Sequence, residues 1–129
     1  MDARPRDALS NAVGWLEGRV KFVDAKQSNY DAQDAATQAE GNYSAQAAAR
    51  AAAHAALTIH VSAHCLGIAF YGTAAFAYAQ AGVNEEPEVY DKIAAKECSK
   101  MEAALRNIAV YNEANPAKID QKFWSYIIR

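Results

Sequence analysis

Between Glu40 and Glu85 the chain carries one formally charged side chain, Arg50. A run of that length with a single charge has to be covered by something. Its first half is dominated by alanine, which favours helix because it has no rotamer freedom to lose. A helix that is small or apolar on nearly every side belongs in the middle of a helical assembly. Ser44–Ala81 is therefore expected to lie at the centre of an all-α fold, a single-domain bundle of five to six helices spanning residues 1–129. Its length exceeds that of an ordinary globular helix. Gly67 and the β-branched residues Thr58, Ile59 and Val61 predict a break between Ser62 and Gly67.

A membrane span is the alternative to weigh for such a run. Leu66–Ala79 is uncharged, but crossing a bilayer takes about 20 strongly apolar residues. Extending the run backwards brings in His64, Ser62, His60 and Thr58. No membrane association is expected. The whole chain has 129 residues, enough for one domain with a core, and a net charge of −2, which exerts no general pull on nucleic acid. The opening MDARPRDALS has charges where the apolar segment of a leader would sit, and two cysteines, Cys65 and Cys98, are too few for a disulfide scaffold. A reduced, cytoplasmic setting is the expectation.

Flanking helices follow from local signals. Asp2 can cap and Pro5 suits a first turn; Leu9, Ala12, Val13 and Leu16 then recur with helical spacing and are expected to face the core. Gly18 ends that helix. A second, from about Phe22 to Ala39, has a thin apolar face of alanines and should lie against the central element. Gly41-Asn42 is a turn, and Gly82–Pro87 a loop with Asn84 or Glu85 as cap. From Pro87 a charged, salt-bridge-laced helix should run to Glu113 and stop at Asn115-Pro116. The aromatic tail, with Phe123, Trp124, Tyr126, Ile127 and Ile128, is expected to form a short helix that packs on the bundle or on a second copy, making a homodimer.

Candidate site residues are sparse. On an unbroken helix Arg50, His54, His64 and His60 share an arc of about 120°. His60 and His64, at i and i+4, could both reach one metal ion, but a transition metal needs more ligands and no carboxylate is in sight. One reading makes the histidines polar packing groups at helix crossings; another makes them a partner-binding groove. A third is a metal-binding helical protein or metal-dependent enzyme. Ser10, Ser44 and Ser62 lack a relay, and Cys65 is expected as a buried thiol pointing away from His64. Arg4 and Arg6 flank Pro5, where a guanidinium folded inward could pair with a carboxylate and hold the N-terminus to the bundle. No cofactor is called for.

Two stretches resemble the immunity-protein family of bacterial polymorphic-toxin systems. One is Asp2-x-Arg4-Pro5-Arg6 with the helix and Gly turn after it. The other is AAARAAAHAALTIHVSAH, Ala47–His64, in which Arg50, His54, Thr58, His60 and His64 match the family's pattern, and Phe70 and Tyr71 fit more loosely. The resemblance covers about Asp2 to Ala81. It implies a small helical protein, not an enzyme, that neutralises a cognate toxin protein by binding it; it supplies no catalytic residue.

Overall fold

The uncharged run folds as two helices packed on each other. The computed structural model describes residues 2–112 and residue 114. Five helices follow in order: α1 Arg4–Leu16, α2 Phe22–Gln38, α3 Tyr43–Leu57, α4 Cys65–Ala81 and α5 Pro87–Ile108, with a single 3-10 turn, Ser62–His64, before α4. The fold is all-α, and the described residues contain no strand. Among the described residues, helix α3 touches α1, α2 and α4, while α4 is the one helix that α5 touches. The molecule is thus a three-helix group, α1–α3, extended sideways by α4 and then α5.

Local chemistry accounts for most boundaries. Asp2 accepts the Arg4 backbone N–H at 3.0 Å and holds the Arg4 guanidinium at 2.6 Å, while Pro5 occupies the first turn. Gly18, at φ +72°, adopts the left-handed backbone that ends α1, and the N–H groups of Arg19 and Val20 return to the Gly14 carbonyl. Asn42 caps α3 by accepting from the Ala45 N–H at 3.1 Å. Helix α5 starts after Glu86, one residue beyond the expected cap, and the Tyr90 hydroxyl pins the preceding loop by donating to the Gly82 carbonyl and accepting from the Glu85 N–H.

The break in the central run lies earlier than its composition suggests. Helix α3 stops at Leu57, and α4 begins only at Cys65. The Thr58 hydroxyl donates to the Ala55 carbonyl at 2.6 Å, a local bond that competes with continuing the helix. Only α3 is interior. Phe70 and Phe76 on α4 are exposed.

The core is built from small side chains. Ala8, Ala12, Ala32, Ala53 and Ala56 form one buried cluster, with Ile59 against it. Leu9, Val13 and Leu16, expected inside, are 40%, 50% and 69% exposed. Alanine faces let helix backbones come close, and at that spacing α1 buries its Ala8–Ala12 edge and turns its larger side chains out. Gly14 belongs to the same close packing, since a Cβ there would strike the Val20 side chain. Asn29, wholly buried in α2, has no hydrogen-bond partner for either side-chain atom.

Helix α5 bears the expected ion pairs, Lys100–Glu97 at 2.7 Å and Arg106–Glu102 at 2.6 Å, although Glu97 is buried rather than solvated. It ends at Ile108, short of Glu113. Val110 and Tyr111 beyond it are exposed, so no packing offsets the cost of ordering another turn. The expected tail helix from Ala117 lies outside the described residues. No helix among the described residues is long and apolar enough to cross a membrane.

Candidate functional site

Helix α3 delivers His54 to the seam with α4, where the chain places no side chain opposite it. The residue there is Gly67, buried in the first turn of α4. A Cβ at Gly67 would overlap the His54 ring and lie 2.8 Å from the His54 Cβ. The ring therefore lies directly against the α4 backbone, an approach only glycine permits.

The 3-10 turn brings His64 back onto the same ring. His64 Nδ1 and His54 Nδ1 are 3.1 Å apart, so one nitrogen donates and the other accepts. The continuous-helix arc is replaced by a fold-back that joins His54 and His64 across the break. His60 stands apart: it is exposed, 6.2 Å from the His64 ring by centroids and edge-on to Phe22. The expected i, i+4 helical geometry of His60 and His64 is not realised, because α3 ends at Leu57. Among the described residues no group of three or more His, Cys, Asp or Glu is placed to hold a metal ion. Cys65, expected buried, is exposed at the start of α4.

Tyr71, further along α4, lies tilted against the His54 ring with centroids 5.1 Å apart. The Arg50 guanidinium lies 5.8 Å from the centre of the Tyr71 ring. With Gln33 and Thr37 from α2, these residues line an open cleft of about 260 Å³. Gln33, Thr37 and Arg50 form its exposed rim; His54 and Tyr71, both half-buried, form its floor.

Arg4 and Arg6 lie elsewhere. Arg4 is held by Asp2 and donates to the Gln38 side chain at 2.7 Å, tying the N-terminus to α2. That pairing holds the Asp2 carboxyl at about 2, well below the usual range. Arg6 borders a separate, apolar cleft of about 450 Å³ with Pro5, Ala35, Ala39, Ala45 and Ala49. Ala35 and Ala39 face away from Gln33 and Thr37 on α2, so the candidate residues fall into two groups on opposite sides of that helix. Sequence reasoning reached Arg50, His54 and His64 but missed Gln33, Thr37 and Gly67. A glycine at the start of an apolar helix was the available sign of a close approach.

Burial pushes both imidazoles below the ordinary histidine value of 6.5, and for His64 the neighbouring His54 and His60 add to the effect. The folded chain thus holds protons at these rings less tightly than the unfolded chain does. The stability they contribute is complete above pH 6.5 and is lost as pH falls through that value toward the lower folded values. The thermal midpoint is expected to drop between about pH 7.5 and about pH 5, and a His64→Gln variant should drop less. Equal drops would remove the histidine pair from the explanation.

In comparisons with known proteins, the family model described as Imm-5 like putative immunity protein matches residues 1–104. No curated protein matches, and no solved structure does.

Proposed function

Since the chain belongs to the family of Imm-5 like immunity proteins, we propose that it is a non-enzymatic immunity protein of a bacterial polymorphic-toxin system. It binds a cognate toxin in the cytoplasm of the cell that makes both and blocks it by occupying its surface. The family match across residues 1–104 is the observation that carries this reading.

The distribution of side chains supports it. An inhibitor that acts by contact needs apolar anchors outside its own core. Helix α1 turns Leu9, Val13 and Leu16 outward, and Phe22 and Val23 are exposed at the start of α2. The arginine–histidine cleft offers a polar complement on another face. Its floor residue His54 is held by His64 from the 3-10 turn, while Arg50 on its rim is the group left available to a partner.

The test is co-expression with the toxin encoded beside the gene. The two chains are expected to co-purify in fixed ratio, and cells making the toxin are expected to survive only when this chain is present. Light scattering on the complex also counts copies of each chain and so tests for a homodimer. A toxin that neither binds nor is survived defeats the proposal.

A further inference from the structure

The arginines of the molecule differ in how they are compensated. Arg4, Arg19 and Arg106 each hold a carboxylate from their own neighbourhood. Arg6 and Arg50 have no ion pair among the described residues, and for Arg50 the sequence between Glu40 and Glu85 supplies no acid to give it one; Arg6 borders the apolar cleft, whereas Arg50 stands among polar groups. It stands at the rim of a cleft whose other lining groups are neutral and mostly able to donate. The Gln33 amide and the Tyr71 hydroxyl have no hydrogen-bond partner among the described residues, and Thr37 already spends its hydroxyl proton on the Gln33 carbonyl at 3.2 Å. His54 has one ring nitrogen committed to His64. When His64 is the donor in that contact, His54 carries its own proton on Nε2, its remaining nitrogen, and becomes a further donor.

We propose that this cleft is the seat for a single carboxylate, the side chain of an aspartate or glutamate on the toxin, with Arg50 as its counter-charge and His54, Gln33 and Tyr71 as hydrogen-bond donors. The inference rests on the toxin-binding reading above. One fixed positive charge matches a monoanion. A phosphate, or the phosphate row of a nucleic acid, calls for more positive charge than one guanidinium among neutral groups. The exposed rim suits a side chain reaching in from a large partner better than a small molecule that must be enclosed. The chain's net charge of −2 gives an acidic partner no general attraction, so recognition of an acid here has to be local.

The experiment measures the Kd of the toxin encoded beside the gene for the full chain and three variants, at fixed salt and after nuclease treatment. Arg50→Glu is expected to weaken binding by about 30-fold or more, since it places like charge in the seat. Lys92→Glu makes the same change of net charge on exposed α5 and should stay within about threefold. Arg50→Gln keeps the stem and loses the charge, and serves if Arg50→Glu does not fold. Reversing one aspartate or glutamate of the toxin to arginine is expected to restore binding to Arg50→Glu. If Arg50→Glu, or Arg50→Gln in its place, binds like the unmodified chain, the seat is refuted while the immunity reading stands. Binding that vanishes on nuclease treatment assigns the cleft to phosphates and refutes it too. A toxin that fails to bind the unmodified chain defeats both.

Discussion

A Gly67→Ala variant is expected to be less stable than the natural chain, although alanine is the better helix former. Propensity alone would favour the change by up to about 1 kcal/mol. Against it stands the His54 ring, and behind the ring the His54 Cβ, 2.8 Å from where the new methyl group would lie. A ring can swing aside, but the Cβ moves only with the α3 backbone, so α3 and α4 must separate. Overpacking of this kind costs about 1–3 kcal/mol and occasionally more, which outweighs the propensity gain. The net loss should lower the thermal midpoint by roughly 5 °C. The decisive comparison is the same substitution in a His54→Ala background, where the obstacle is gone. There Gly67→Ala should be neutral or stabilising, and this reversal of sign separates a steric cause from a general intolerance of α4. Equal losses in both backgrounds would show that the ring is not what Gly67 accommodates.

Ala53→Leu should be the second large effect. Ala53 is wholly buried in α3, in the cluster with Ala8, Ala12, Ala32 and Ala56. Leucine adds three carbons where the helices meet through methyl groups, and the other members of the cluster are alanines with no side-chain torsion to adjust. A loss of about 1–3 kcal/mol or more is expected from urea denaturation. Val13→Ala, on the exposed side of α1, should stay within about 0.5 kcal/mol. The usual ranking is inverted: enlarging the centre harms, and trimming the apolar outside does little. If Val13→Ala proves the costlier of the two, the alanine cluster is not the core.

How legible all this was in the sequence depends on what kind of physics fixed each part. The helix count and most starts are local matters: Pro5, Gly18, the Gly41-Asn42 turn and the Gly82–Pro87 loop mark where helices begin and end, and α1, α3 and α5 start within a residue of those marks, while α2 starts at Phe22, four residues past Gly18. The inward face of α1 was legible only at Ala12, which is buried as expected, while Leu9, Val13 and Leu16 are not. Hydropathy ranks Leu9, Val13 and Leu16 above Ala8 and Ala12, but the close approach of α1, α2 and α3 rewards small size instead. The histidines were recognisable as a group by their spacing, for a reason that proved wrong in geometry. A single helix would have aligned them; the fold instead stops α3 at Leu57 and lays His64 back on His54. Gln33 and Thr37 escaped because a cleft assembled from three helices has no signature in any one of them. The end of α5 was missed because a further turn depends on tertiary packing, and Val110 and Tyr111 are exposed.

The order of helix neighbours also bears on how the molecule is made. Every contact among α1, α2 and α3 joins residues up to Leu57, and α4 and α5 are then added one at a time, each on the helix just before it. Among the described helices, no early one has to wait for a distant late one. During synthesis the first three helices can close on one another as soon as they clear the ribosome, and each later helix finds its binding face already built. A protein assembled in that sequence risks few wrong pairings.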